Sequence, residues 1–333
     1  CLPREEFDEK RVADSIKELQ REFSGNSFHL HTYMGVYEIR DRDEAVSIMV
    51  DKANIAADTI KNNYDCCVAY YDEHLLEISI EQRRLLGEFE PALQNDEFVM
   101  YLQPQVKRDG AAKGAEALVR WVHPSRGILT PYAFIDILEN AGLIYKLDLY
   151  IWEKAAQKLA EWKEKGYGSY HISVNISTKD FYIIDIYETF TGLINKYGIA
   201  ASNLHLEITE TTLMTDFEKN MNIIHKLQDV GFRVEIDDFG SGYSSLNMLK
   251  DISADVLKID MGFLRKSENE VKGQDILESI ITLAGKIGMD VITEGVETKK
   301  QLDMLTMMGC HEFQGYYFSK PVPVSEFEEK YLV

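Results

Sequence analysis

The sequence has little cysteine, no long apolar run and few basic residues for its acids, and each shortage closes off a class of function. Its four cysteines are Cys1, Cys66, Cys67 and Cys310. They form no CxxC pair and no framework spacing, so a disulfide scaffold is not expected and a reducing compartment is. No stretch approaches the ~18 consecutive apolar residues of a membrane span. No basic, apolar, small-residue leader opens the sequence, so the expected location is the cytoplasm. Lys and Arg number 36 against 56 Asp and Glu, a net charge of −20. Such a field repels DNA and RNA as polymers. It still admits a small anionic substrate where metal ions reverse the sign locally. Also missing are a GxGxxG turn, a GxSxG elbow and an HExxH helix.

What is there reads as an ordinary globular chain, 45% apolar and 28% charged over 333 residues. That length suits one large domain plus a smaller one or a fragment. Over the first eighty residues or so, residues 5–22 read as an amphipathic helix with Phe7, Val12, Ile16 and Leu19 near helical spacing. FHLHTYMGVYEI (28–39) and CCVAYY (66–71) read as strands, 43–62 as a helix and 75–94 as a connecting helix. From residue 96 the chain becomes rhythmic. Strand-like runs at 98–106, 115–122, 171–176, 204–209, 233–237, 256–260, 290–294 and 313–318 alternate with helical stretches at 131–140, 145–165, 180–197, 216–230, 270–288 and 298–308. Strand alternating with helix implies mostly parallel pairing. Eight strands over roughly 235 residues point to a (β/α)₈ barrel, for which ~250 residues is typical. An open doubly wound sheet is the competing architecture, weakened by the absence of GxGxxG.

Polar residues recur at the C-terminal ends of these strands. AEALVRW carries Glu116, HISVNIS carries Asn175, and HLEITE carries Glu207 and Glu210. VEIDDFG carries Asp237 and Asp238, VLKID carries Lys258 and Asp260, and VITEGVE carries Glu294 and Glu297. In a barrel those ends converge on one face, where catalytic groups collect. A buried carboxylate is costly unless paired or bound to metal. A ring of five or six acids cannot be satisfied by one lysine, so divalent cations are expected. All-oxygen ligands favour hard ions, Mg²⁺ or Mn²⁺, over structural zinc. The adjacent Asp237 and Asp238 suit a two-metal site, with ions ~3.5–4 Å apart activating a water for phosphoryl displacement. Lys258 could hold that water or offset charge.

Each residue alone has a plainer reading. A single strand-end acid is more often an exposed loop residue or a helix cap, Asn175 a turn residue, Lys258 a surface ion-pair partner. Six strand ends bearing such groups in the same relative place weaken the joint coincidence. The eight histidines are scattered without a zinc spacing and are expected to be structural or at the surface, His29 and His31 on a strand outside the barrel.

At this point the residues resemble a family, the EAL domain, the cyclic di-GMP-specific phosphodiesterase. The resemblance covers roughly 85–333 and runs through YLQPQV (101–106), EALVRW (116–121), SVNIS (173–177), LEITE (206–210), DDFGSGYSSL (237–246), LKID (257–260), EGVE (294–297) and QGYYFSKP (314–321). It implies a TIM-like barrel of the EAL type whose first strand is antiparallel. It implies metal ligation by Glu116, Asn175, Glu207 and Asp237, with Asp238 on a second ion and Glu294 at the metal centre directly or through water. It makes Lys258 the lysine at the nucleophilic water, so that Lys258, Glu294, Glu116 and Asp237 carry the chemistry. Gln103, Leu118, Arg120, Glu297 and Gln314 fall where the family lines the dinucleotide pocket, and Glu210 where a glutamate supports the DDFGSGYSS loop. Arg120 suits a phosphate, since a guanidinium forks onto two oxygens. The activity implied is hydrolysis of cyclic di-GMP to linear pGpG with two divalent cations. Two residues depart from the usual pattern, Thr293 before EGVE and Ser241 in the loop.

Residues 1–80 resemble the C-terminal part of a GGDEF (diguanylate cyclase) domain, through YMGVYEI, DKANIAADTIK and VAYYDEHL. The GGDEF signature and the nucleotide-binding first half are absent, so this segment is expected to be catalytically incomplete. An unrelated α/β cap is the alternative. The expected organisation is therefore 1–80 GGDEF-like, 81–95 a connecting helix and 96–333 the phosphodiesterase barrel. The resemblance also implies a homodimer through the barrel, and a longer parent protein with an upstream regulatory region that could tether it to a membrane. Two other functions are carried alongside: a non-hydrolysing cyclic di-GMP receptor, and a sugar-phosphate barrel enzyme, the latter disfavoured by the lack of a glycine-rich phosphate site after the last strands.

Overall fold

The computed structural model describes residues 2–23, 32–61, 66–240, 252–262 and 270–332. The chain divides into two compact units, Cys1–Glu88 and Phe89–Val333.

The first unit is small. Helix α1 (Glu9–Phe23) buries Ile16, whereas Leu19 stays exposed. Strands β1 (Met34–Val36) and β2 (Val68–Tyr70) pair in parallel, Gly35 opposite Ala69. Helix α2 (Val46–Asp58) crosses β1 at Gly35, where a Cβ would sit 1.8 Å from the Ala53 carbonyl oxygen. Only glycine permits that approach. The strand expected over 28–39 forms at 34–36; residues 28–31, with His29 and His31, lie outside the described residues. Helix α3 (Glu73–Gln94) runs through the division at residue 88.

The second unit is a closed barrel. Its strands are β3 (Phe98–Lys107), β4 (Ala112–His123), β6 (His171–Ile176), β7 (Leu204–Thr209), β8 (Arg233–Phe239), β9 (Val256–Asp260), β10 (Asp290–Glu294) and β11 (Glu312–Phe313). They neighbour one another in that order, and β3 closes the ring by pairing antiparallel with both β4 and β11. All other barrel pairs are parallel. The antiparallel first strand follows from its short connection: β3 reaches β4 through a tight turn at Gly110 (φ +86°), which can only reverse the chain. Two short strands, β5 (Gly127–Leu129) and β12 (Val322–Pro323), extend the edges and had no clear sequence signal.

The outer layer is helical: α4 (Ile135–Ala141), α5 (Ile144–Glu164), α6 (Asp180–Ile183), α7 (Ile186–Tyr197), α8 (Glu210–Thr215), α9 (Phe217–Val230), α10 (Glu270–Lys286), α11 (Lys299–Met307) and α12 (Val324–Tyr331). The stretch 180–197 is two helices, because Asp185 turns to extended backbone and caps α7 by accepting from the Glu188 amide at 3.0 Å. The expected strand 313–318 stops at Phe313. Gly315 lies so close to the Val296 backbone that a Cβ would be 2.3 Å from its nitrogen and oxygen, and the chain turns there.

Strand residues sort by parity. Ile172, Val174, Ile176, Leu204, Leu206, Ile208, Val234, Ile236, Leu257 and Ile259 are buried, and they belong to the layer between barrel and helices with Trp152, Phe190 and Phe232. The alternate positions line the barrel interior and are mostly polar. Doubly covered parallel strands usually read as continuous apolar runs; these alternate because the interior is a polar site.

Candidate active site

Register explains how residues far apart in sequence meet. Gln103 pairs with Glu116, Glu116 with Ser173, Asn175 with Glu207, Thr209 with Asp237, and Glu294 with Asp260. Every strand delivers its polar residue to the same end of the barrel. Asn175 is further fixed from behind, since Trp152 Nε1 donates to its carbonyl oxygen at 2.9 Å.

Lys258 is the hub. Its side chain is 0% exposed, and its Nζ lies 2.7 Å from Glu207 Oε2, 2.8 Å from Glu294 Oε1, 3.3 Å from Asp237 Oδ1 and 3.5 Å from Glu116 Oε2. The lysine thus reaches more of the ring than spacing alone suggested. It still leaves three formal negative charges, four carboxylates against one ammonium. Burial works to lower the lysine's pKa, but Asp237, Glu116, Glu207 and Glu294 together hold it well above the usual lysine range. The cost falls on the acids. Burial, then the Glu116 charge, pushes Glu207 well above the carboxylate range. Burial pushes Glu294 up to about 8 even with Lys258 beside it.

Glu116 is held on both oxygens. Asn175 Nδ2 donates to Oε1 at 3.2 Å, and Gln314 Nε2 donates to Oε2. The same Gln314 amide donates to Gln103 Oε1 at 3.3 Å, and Gln103 Nε2 donates to the Ser319 carbonyl at 3.3 Å. Arg120, two strand positions beyond Leu118 and four beyond Glu116, has its guanidinium 5.5 Å from the Tyr101 ring centre. Both Leu118 and Arg120 are half-buried at the mouth.

Adjacent aspartates on a regular strand point to opposite faces. Here β8 carries an irregularity against β9, which pairs Ile236 with Leu257 but Phe239 with Ile259. Two residues of β8 oppose one of β9, and Asp238 adopts φ +56°, a left-handed conformation that aspartate tolerates. The bulge re-aims Asp238 toward the ring: burial, then Asp237 and Asp260, raise its pKa.

The donor set answers whether divalent cations fit. Glu207 Oε1, Asp237 Oδ1 and Glu294 Oε1 are buried oxygens without a hydrogen-bond partner, the last two touching only the lysine as an ion pair. Buried acceptors in surplus, all oxygen, match hard cations. Glu210 opens α8 after Thr209, whose hydroxyl accepts from the Thr212 amide at 3.3 Å; of the DDFGSGYSS loop (237–245) it was expected to support, residues 241–245 with Ser241 lie outside the described residues. Glu297 is exposed beside the capping box of α11, with its amide donating to Gln301 Oε1 at 2.9 Å. Thr293 points away from the ring, its hydroxyl 3.5 Å from Cys310 Sγ, so that departure leaves Glu294 in place.

One expectation is narrowed. Of the histidines expected to be structural or at the surface, His171 and His205 are buried and brought together: their rings stack inside the barrel with centroids 3.8 Å apart and planes 3° apart, next to Glu235. They sit 34 residues apart in sequence, and only the parallel register of β6 and β7 brings them together. The signal available was parity, since His171, His205 and Glu235 occupy the same inward positions as Asn175, Glu207 and Asp237.

Comparison with known proteins agrees with this geometry. The family described as EAL domain matches residues 87–321. The chain is similar to the bifunctional diguanylate cyclase/cyclic di-GMP phosphodiesterase MucR of Pseudomonas aeruginosa, 32% identical over 272 residues, covering 81% of this chain and 39% of MucR. It is also similar to the cyclic di-GMP phosphodiesterase PdeR of Escherichia coli, 33% identical over 240 residues, covering 72% of this chain and 36% of PdeR. The chain therefore spans less than half the length of these curated relatives. Among solved structures it resembles the PaMucR phosphodiesterase in complex with c-di-GMP, with a TM-score of 0.69 and 33% identity over 73% of this chain and 99% of that one.

Proposed function

The chain belongs to the EAL domain family, and from that premise we propose that residues 96–333 hydrolyse cyclic di-GMP to linear pGpG in a metal-dependent reaction. The observation that carries the reading is the buried Lys258 within 3.5 Å of four carboxylates drawn from four other strands. An ordinary protein interior does not concentrate charge this way without a use for it.

Two hard divalent cations, Mg²⁺ or Mn²⁺, would be held by Glu116, Asn175, Glu207, Asp237, Asp238 and Glu294, and would supply Lewis acidity toward the phosphate and a water made acidic enough to attack. The chain's own groups have separate tasks. Asn175 and Gln314 fix the Glu116 carboxylate so that it need not reorganise on ligation. Lys258 holds the attacking water through Nζ and offsets charge gathering on the phosphate. Arg120 stands at the mouth to grip a phosphate, while Gln103, Leu118, Glu297 and Gln314 line the dinucleotide. Water adds to phosphorus, the bond to the 3′ oxygen breaks, a proton from the water ends on that oxygen as a hydroxyl, and a linear product leaves with a terminal phosphate.

The remaining organisation belongs to the same reading: residues 1–80 a catalytically incomplete GGDEF-like segment, 81–95 a connecting helix, Glu210 a support for the 237–245 loop, and a homodimer formed through the barrel in the cytoplasm. Among the described residues no helix is long and apolar enough to cross a membrane. An upstream regulatory region in a longer parent is compatible with the share of its relatives that the chain spans. The test is incubation with cyclic di-GMP and a series of divalent cations, followed by chromatography. Appearance of pGpG supports the enzyme; binding by calorimetry without any pGpG would replace it with a receptor.

A further inference from the structure

Directly beneath the carboxylate ring, the barrel interior holds ligating side chains that the proposed hydrolysis leaves unused. His205 precedes Glu207 by two residues, Glu235 precedes Asp237 by two, and His171 precedes Asn175 by four. At ~3.3 Å per strand residue this is a layer roughly 7 Å or more toward the N-terminal mouth. All three are buried, at 9%, 4% and 0% exposure for His171, His205 and Glu235. One donor atom from each lies within 4.8 Å of the others.

The arrangement is built rather than incidental. Gly114 on β4 faces the His171 ring, and a Cβ there would fall 2.4 Å from it, so the barrel omits a side chain to admit the imidazole. Gln105 Oε1 lies 2.7 Å from His171 Nε2 while Gln105 Nε2 donates to Ser173 Oγ at 3.3 Å. With that amide orientation His171 donates from Nε2 and its lone pair rests on Nδ1, the outer-partner arrangement that orients metal-binding histidines. His205 Nδ1 lies 2.5 Å from Glu235 Oε1, and the other oxygen, Oε2, is buried without any hydrogen-bond partner. A cavity of about 500 Å³ reaches these residues from the N-terminal mouth, past Lys113, Arg233 and Glu312.

We propose that His171, His205 and Glu235 form a site for a transition-metal ion of the Zn²⁺ class, distinct from the oxygen-only ring above. Two imidazoles and one carboxylate are a donor set for borderline ions, with a fourth position left to water. The upper ring, with no nitrogen or sulfur ligand, selects Mg²⁺ or Mn²⁺ instead, so the two layers sort cations by donor chemistry. The two rings lie in parallel planes, so ligating one tetrahedral ion with bonds of ~2.1 Å requires at least one imidazole to turn out of the stack. An ion there would clamp β6, β7 and β8 at their N-terminal ends and neutralise Glu235.

The experiment strips the full chain with a chelator, adds excess Mg²⁺ to occupy oxygen ligands, and titrates Zn²⁺. X-ray absorption at the zinc edge reads the ligands in the unaltered sequence. The expected result is one retained equivalent showing imidazole scattering, with a rise in melting temperature. Gln105→Leu, which removes the outer partner, weakens retention by about 10–100-fold, and Glu235→Gln weakens it further. Failure to retain zinc against Mg²⁺, or oxygen-only scattering, would overturn the site. Because the ligand signature is read without mutation, misfolding of a variant does not decide the outcome.

Discussion

At the C-terminal mouth of the barrel four carboxylates share one lysine; two residues lower on the same strands, a single carboxylate is shared with an imidazole. The upper layer is left with surplus negative charge, and Glu294 accordingly rises to about 8. In the lower layer burial also works to raise Glu235, but the His205 hydrogen bond and charge outweigh it and hold it at about 2. Glu207 and Lys258 in the upper layer and Glu235 in the lower are all buried, so solvent access does not explain the difference. The crowding of carboxylates does, four facing one another in the upper layer and one standing beside imidazoles in the lower. A layer with surplus negative charge can receive metal ions and a phosphate held by them; a lone carboxylate among imidazoles is suited to structure or to an ion with nitrogen ligands. Outside the barrel a third solution appears. Burial, then the neighbouring Asp180 charge, raises Asp148 on α5 well above the carboxylate range, and burial raises Asp180 on α6 as well.

The largest expected effect separates the layers by function. Glu116→Ala removes an upper-layer carboxylate and should lower turnover of cyclic di-GMP by at least ~10⁴-fold, more than about 5 kcal/mol. Near-ultraviolet circular dichroism should be unchanged; unaltered turnover would end the comparison as drawn. Next, Lys258→Met leaves the four acids without their cation. Removing one partner of a buried ion pair costs ~3–5 kcal/mol of stability, and Mg²⁺ should recover part of it. Thermal unfolding with and without Mg²⁺ measures this, and the Mg²⁺ response should exceed that of the parent chain.

In the lower layer, Gly114→Ala drives a methyl into the His171 ring. Overpacking of this kind costs ~1–3 kcal/mol, read from the denaturant midpoint. Turnover should fall far less than in Glu116→Ala, which sharpens the claim that the layers act separately. The smallest effect concerns the raised Asp148 carboxyl. A carboxyl whose folded pKa is raised contributes stability below its unfolded pKa and loses it as pH rises through the folded value. Asp148→Asn keeps a neutral donor toward Asp180, so above neutral pH it should be the more stable chain by ~1 kcal/mol. The measurement is melting temperature against pH; parallel profiles for the two chains would show that folding does not raise the Asp148 carboxyl.

Much of this was legible before any coordinates. The alternation of strand and helix carried the barrel, because each strand–helix repeat writes its own period into the chain. The strand-end acids carried the upper ring, because the C-terminal ends of barrel strands all open on one face. Less legible were the features that depend on contact between distant segments. The two-residue β11 ends where Gly315 meets Val296. The aiming of Asp238 depends on a bulge defined only against β9. The histidines looked unrelated because nothing in their spacing records the register of β6 on β7.

The sequence by itself determined the architecture, the upper-layer acids and their lysine, since these rest on local periodicity and on residue types placed at strand ends. Tertiary structure alone decided that one ammonium reaches four carboxylates, that Glu116 is gripped from both sides, and that His171, His205 and Glu235 share a layer. Those are properties of strand register and barrel closure, which bring together side chains that the linear spacing keeps tens of residues apart, and no local pattern encodes a distance across a barrel.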